Sequence, residues 1–241
     1  MTVDNPGGAS PLLLLGDHAG HIAPARLGDL GVGAEDWKRH IACDIGVAGL
    51  GRLLAEQLDA VFIHQRYSRL VIDCNRALDD VGSIAAHCDR TDVPGNVGLD
   101  AATRQARVDE IFSPYHDRIA HELDARAAQG RATVLVSLHS FTPALAEVAR
   151  PWLYGVLHRH DSAFSRAMLA ALAAETGDVV GDNQPYAMDE IDYTVPFHTH
   201  GRGLDYLELE VRQDLIAAEA DQQPIASVLA TALRRALSTC A

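Results

Sequence analysis

Histidines at the ends of apolar runs, carboxylates near them, and arginines around an asparagine are the residues of this chain best suited to chemistry. His18 stands in Gly16-Asp17-His18-Ala19-Gly20-His21, directly after the apolar run Leu12 to Leu15. His139 ends the run Val134 to Leu138 and is followed by Ser140-Phe141-Thr142-Pro143. Neutral imidazoles at strand ends suit zinc, which takes nitrogen and oxygen ligands and, in catalytic sites, keeps one position for water. A lone histidine there is more often a turn residue bonded to backbone. Polar clusters at the ends of several apolar runs point instead to a shared site, because ligands gather beyond the carboxyl ends of strands in open α/β sheets. A third ligand can come from His21, three residues after His18, or from Asp44 in His40-Ile41-Ala42-Cys43-Asp44. Asp44 also stands where a helix N-cap would, and the two readings stay open. His200 is a weaker candidate.

Leu207-Glu208-Leu209-Glu210-Val211-Arg212 alternates apolar and charged residues, so a strand there presents Glu208, Glu210 and Arg212 on one face. On an edge strand that face is merely solvated. Turned inward, one glutamate can take a proton from an attacking water, its pKa raised by partial burial. Arg66, Arg69 and Arg76 surround Asp73 and Asn75. Guanidinium forks match carboxylates in bidentate fashion, so this segment can hold the carboxylate end of a small substrate, structural salt bridges being the competing use. Pro94-Gly95-Asn96 and Pro114-Tyr115-His116 are bends that can line a cleft. A serine nucleophile at Ser140, with His139 or His116 as base, is disfavoured. The chain has no G-x-S-x-G elbow, and adjacent strand residues point apart. A reading without turnover also exists: a binding protein for an acidic metabolite on a hydrolase scaffold.

These side chains need a frame. Met1 to Ser10 is polar and glycine-rich and reads as a loose tail, with a single α/β domain over 11–241. Leu12 to Leu15, Val61 to His64, Arg69 to Asp73, Ala132 to Leu138, Trp152 to Leu157 and Tyr206 to Val211 read as strands. Helices are expected at Gly46 to Leu58, Ser162 to Glu175, Ala101 to Ala128 with a break or kink at Pro114, and Ile225 to Leu237 opening after Pro224. Strands alternating with helices imply a sheet with helices on both faces.

Composition narrows the function. The 241 residues carry 20 basic and 33 acidic side chains, a formal charge of −13. That argues against nucleic acid or an anionic membrane surface as the main partner, since phosphate binding needs a basic footprint. Cys43, Cys74, Cys88 and Cys240 form no C-x-x-C pair, and neither a disulfide framework nor a zinc knuckle is expected. The apolar run Pro11 to Leu15 is too short for a signal-peptide core or a membrane span, so a cytoplasmic protein is expected.

Taken in order, the motifs resemble the N-formylglutamate amidohydrolase family. They are Asp17-His18-Ala19-Gly20, His40-Ile41-Ala42-x-Asp44-Ile45-Gly46, Tyr67-Ser68-Arg69-Leu70-Val71-Ile72-Asp73-x-Asn75-Arg76, Pro94-Gly95-Asn96 and Pro114-Tyr115-His116. Ser137-Leu138-His139-Ser140-Phe141-Thr142-Pro143, Gly181-Asp182-Asn183-x-Pro185-Tyr186 and Glu208-x-Glu210-x-Arg212-Gln213-Asp214-Leu215 complete the set over nearly the whole chain. The family is similar to the zinc carboxypeptidase and aspartoacylase group. The resemblance implies a three-layer α/β/α mixed sheet of the zinc-carboxypeptidase and phosphorylase-hydrolase type. It also implies a zinc or manganese ion on His18 and His139, and a small acidic N-acyl amino acid as substrate. Glu210 is then the base, and Asn75 with Arg76 holds the carboxylate. Arg69, His116 and Ser140 fall on the substrate side, and Arg212 or Arg104 at the oxyanion. The glutamate that the wider group places three residues after its first histidine is replaced here by His21, so His21 or Asp44 completes the ligand set.

Overall fold

Four consecutive leucines cannot alternate between core and solvent, so a strand made of them has to be covered on both faces. Leu12–Gly16 (β2) is fully buried along its length. Each leucine withdrawn from water contributes about 2 kcal/mol, which fixes this strand in the middle of the sheet. The structure, a computed structural model, describes residues 1–189 and 191–240. β2 runs parallel to Val61–His64 (β3) on one side and Val134–Phe141 (β6) on the other. Beyond β6 lies Asp205–Arg212 (β11), parallel to it, then Tyr154–Leu157 (β9), antiparallel to β11, and Gly181–Asp182 (β10). Thr2–Asp4 (β1) closes the opposite edge, antiparallel to β3. The seven-stranded mixed order is β1-β3-β2-β6-β11-β9-β10. Two short hairpins stand apart: His87–Cys88 (β4) with Thr91–Asp92 (β5), and Ala144–Leu145 (β7) with Val148–Ala149 (β8).

Helices cover both faces, giving three layers. Val47–Leu58 (α1), Ala163–Thr176 (α4) and Glu219–Cys240 (α6) pack on the face formed by Leu12, Leu14, Phe62, Val136, Leu207 and Leu209. The opposite face, with Leu13, Leu15, Val61, Ile63 and Leu135, packs on Ser113–Ala128 (α3) and Thr194–Thr199 (α5). Ala101–Arg107 (α2) leads into α3. No helix among the described residues is long and apolar enough to cross a membrane.

Four expectations change or sharpen. Met1 to Ser10 is not wholly loose, because Thr2, Val3 and Asp4 pair with His64, Ile63 and Phe62. Arg69 to Asp73 is not a strand. Leu70, Val71 and Ile72 are buried, but Asn96 Nδ2 donates to the Leu70 carbonyl at 2.8 Å and buried Arg107 donates to that of Val71 at 2.6 Å. Side chains thus take the place of ladder partners. Pro114 does not end the helix, but the helix is distorted just before it, where a π turn at Val108–Phe112 joins α2 to α3. The last helix begins at Glu219, ahead of Pro224, which lies inside it.

Candidate functional site

The parallel ladder decides which side chains meet. Glu208 stands opposite Ser137, and Glu210 opposite His139, on neighbouring strands. Leu207, Leu209 and Val211 enter the core beside α4 and α6, so the alternate residues Glu208 and Glu210 turn to the other face. β11 is interior, between β6 and β9, and both glutamates are buried. Past the carboxyl ends of β2, β6 and β11 this face is covered by connecting segments instead of helix. There a cavity of about 350 Å³ opens, lined by His18, Asp44, Arg69, Asn75, Arg76, His139, Ser140, Tyr186, Asp189, Asp192, Glu208 and Glu210 among others.

His18, Asp44 and His139 bring one ligand atom each within 4.8 Å of one another. His18 lies 2.6 Å from Asp73 Oδ1 through Nε2. A carboxylate only accepts, so Nε2 carries the proton and, in the neutral ring, Nδ1 carries the lone pair. That Nδ1 is buried without a hydrogen-bond partner, 3.8 Å from Asp44 Oδ2. His139 is held differently: its Nδ1 donates to Asp44 Oδ2 at 2.9 Å, and its Nε2 lies 3.1 Å from Ser137 Oγ. Asp44 is itself fixed: its N–H donates to the His18 carbonyl at 2.8 Å, and its Oδ2 accepts the Ser140 N–H at 3.2 Å. Two imidazoles and a carboxylate, with a second carboxylate orienting one ring, are a donor set that fits zinc.

Charge is balanced around this trio. Burial disfavours ionisation of Asp44, but the hydrogen bond from His139 and the nearby His18 ring outweigh it and hold its carboxyl below the usual range. Burial and the Arg69 guanidinium oppose a charge on His18, yet Asp73 and Asp44 raise its pKa, while bonding to Asp44 raises that of His139 against burial. A divalent cation would replace the proton that His139 shares with Asp44. Burial pushes the Glu210 carboxyl up to about 7, and burial likewise raises that of Glu208. Oε2 of Glu210 and Oε1 of Glu208 have no partner among the described residues. On β9, Gly155 faces Glu210. A Cβ there would come within 2.1 Å of the Gln184 carbonyl and 3.3 Å of the Glu210 Cβ.

On the other side of the cavity, Arg69 pairs with Asp73 Oδ2 at 2.9 Å and lies 3.6 Å from Asp44. Asn75 Oδ1 accepts the N–H groups of Tyr193 and Thr194, each at 2.9 Å, while its Nδ2 donates to Asp192 at 3.2 Å. Arg76 donates to the carbonyls of Asn75 and Ile191.

The model of the N-formylglutamate amidohydrolase family matches residues 10–217. The chain belongs to that family. Among solved structures, it is similar to gene product Atu2144 from Agrobacterium tumefaciens, at 37% identity and TM-score 0.95, covering 99% of this chain and 95% of that one. It is also similar to an N-formylglutamate amidohydrolase from Ralstonia eutropha JMP134, at 19% identity and TM-score 0.77, covering 99% and 97%. Among curated proteins none matches. Membership of the N-formylglutamate amidohydrolase family supports amidohydrolase activity, and the fold is that of its solved member.

Several residues that the family motifs single out lie elsewhere. His21 is exposed and borders a different hollow, beside Cys43 and Arg52, so Asp44 is the third member of the trio. Asp44 is not the cap of α1 either, since Gly46 holds that position. His116 is buried behind the cavity between α3 and α5, bonded to His198 and the Cys74 carbonyl, both at 3.0 Å; burial lowers its pKa to about 4. It does not line the cavity. Arg212, half-buried past the trio, is captured by Asp214 two residues on, at 2.8 and 3.0 Å, and neither Arg212 nor Arg104 lines the cavity. Ser140 lines it, but its hydroxyl donates to the Ile45 carbonyl and meets no histidine, which removes the geometry a serine nucleophile needs. Asn96 of the Pro94 turn ties Leu70, Ala85 and Arg107 together and does not line the cavity. His200 is exposed outside it. Asp192, Asp189 and His40 line the cavity without having been expected there, and Asp73 joins through His18. Asp73 was legible in its motif as a polar residue after an apolar run, whereas Asp189 and Asp192 sit in a stretch with no periodic signal.

Proposed function

We propose that the chain is a metal-dependent amidohydrolase that removes an N-acyl group, formyl foremost, from a small carboxylate-bearing substrate such as N-formylglutamate. The observation carrying this reading is the convergence, at one cavity, of a buried His18–Asp44–His139 trio with an unpartnered glutamate oxygen on one side and Asn75 with Arg76 on the other. His18, Asp44 and His139 would hold the metal, zinc in preference to manganese because imidazole nitrogens supply two of three donors. Such an ion, when bound, acts as a Lewis acid on the amide carbonyl and acidifies water.

The remaining work falls to side chains. Glu210, with a pKa near neutrality, takes a proton from the attacking water and delivers it to the leaving nitrogen. Asp73 keeps His18 in the tautomer that leaves Nδ1 free, and Ser137 supports His139. Asn75 and Arg76, flanked by Arg69, receive the substrate carboxylate and set the distance between it and the scissile bond.

The test is hydrolysis of N-formyl-L-glutamate by the purified protein, before and after chelation and again after zinc is returned. Turnover that disappears and comes back supports the reading. Turnover indifferent to chelation removes the metal from it, and absence of turnover by the zinc-loaded protein rejects this substrate.

A further inference from the structure

Asn75 and Arg76 are not waiting empty-handed. Asp192 Oδ1 accepts a hydrogen bond from Asn75 Nδ2 at 3.2 Å and lies 3.8 Å from Arg76 Nη1. Its other oxygen accepts the Asp189 N–H at 3.1 Å, and Asp192 lines the cavity. A carboxylate of the chain itself therefore takes the Asn75 amide and stands in ion-pair range of Arg76, whose Nη1 donates to the Asn75 and Ile191 carbonyls, at the two groups assigned above to the carboxylate of the substrate.

We propose that Asp192 is a built-in competitor for the substrate carboxylate at Asn75 and Arg76, and so determines how strongly the cavity favours acids over neutral ligands. The proposal rests on the reading of Asn75 and Arg76 as a carboxylate receiver. Two anions cannot share these donors at close range in a partly buried site without one losing its charge or its place. Binding is then an exchange: the incoming carboxylate takes the Asn75 amide and the Arg76 guanidinium, and Asp192 turns away. Burial works against ionised Asp192, whose Asn75 contact is a single hydrogen bond of 3.2 Å, and Glu208, a second acid, lines the same cavity. A neutral ligand can accept from those donors too, but it brings no charge to replace that of Asp192 and so gains far less from displacing it.

A merely supportive Asp192, which kept Asn75 and Arg76 in position, would act in the opposite direction, and this sign makes the test decisive. Glutarate and its neutral counterpart glutaramide are titrated calorimetrically into the wild-type protein and into Asp192→Asn and Asp192→Ala. The first variant keeps an acceptor for Asn75 and the second removes it; thermal melting verifies that each is folded. The expected result is glutarate binding tightened roughly tenfold or more in both variants, a factor of ten corresponding to 1.4 kcal/mol, with glutaramide changed far less. Equal or weaker glutarate binding in folded variants overturns the proposal, as does an equal gain for glutaramide. Neither probe contains the scissile amide of an N-acyl amino acid, so the result stands apart from the hydrolysis test. A protein that fails to cleave N-formylglutamate but shows the exchange loses the catalytic reading only, whereas one that cleaves it without the exchange loses this one.

Discussion

On one side of the cavity the functional side chains stand on strands or directly beyond them: His18 after β2, His139 on β6, and Glu208 and Glu210 on β11. On the other side Arg69, Asn75, Arg76, Tyr186, Asp189 and Asp192 all stand on connecting segments. The first group is held by a ladder of backbone hydrogen bonds in which Glu210 and His139 are register partners. The second is held by side chains reaching for carbonyls, as Asn96 and the buried Arg107 do at Leu70 and Val71. The difference is one of tolerance. A ladder fixes reacting groups closely, which chemistry needs, while connecting segments can be re-cut from one homologue to the next to recognise different ligands.

Substitutions at the strand-side residues, and at the aspartates Asp44 and Asp73 that hold their histidines, should therefore change turnover or metal affinity, and those at Arg69, Asn75 and Arg76 affinity for the substrate. The largest effect is expected from Glu210→Gln, with kcat falling about 10²–10⁴-fold and KM little changed in steady-state assays of the zinc-loaded protein. A drop below tenfold would hand the role of base to Glu208. Next comes Asp73→Asn, which leaves His18 without its orienting carboxylate. Zinc affinity measured by chelator competition should fall roughly 10–100-fold, and an unchanged affinity would mean that Asp73 serves the arginines alone.

A smaller effect concerns stability. Glu210 titrates near 7 when folded and at about 4.5 when unfolded, so the folded state binds the proton more tightly. The stability this confers is complete below pH 4.5 and is lost as pH rises through 7. Metal-free Glu210→Gln should consequently melt several degrees above the wild type at pH 8, on the order of 2 kcal/mol, and the gap should close near pH 4. A gap that persists in acid would trace to packing instead. The smallest effect is expected at Arg212, whose ion pair with Asp214 faces solvent: Arg212→Ala should leave kcat/KM within about twofold.

The contrast between the two sides also explains what could be read in advance. The continuous leucines of β2 are a direct record of burial and the alternation along β11 puts both glutamates on one face, so the frame was legible, whereas the choice between a solvated and an inward face was not. His18 and His139 were legible only together, through the polar clusters that end several apolar runs. The choice of Asp44 over His21 was not, because it depends on how the chain before α1 returns to the His18 carbonyl, a contact across sequence that no spacing encodes. His116 was misjudged for a related reason: a histidine on a helix looks alike whether it faces a cavity or, as here, a second buried histidine. Leu70 to Ile72 has the composition of a strand, and only tertiary partners for its carbonyls make it something else.

Gly155 has a part in this that no inventory of functional groups would contain. The carbonyl of Gln184 lies where its side chain would be, and the Cβ of Glu210 stands close on the next strand. The close approach of the Gln184 segment to the strand beside Glu210 is thus made possible by an atom that is missing. In the lineage of such chains, a descendant could keep both histidines, both glutamates and every arginine and still be disarmed by gaining one methyl group here. Ancestry traced through the reactive residues alone would count that descendant as an enzyme.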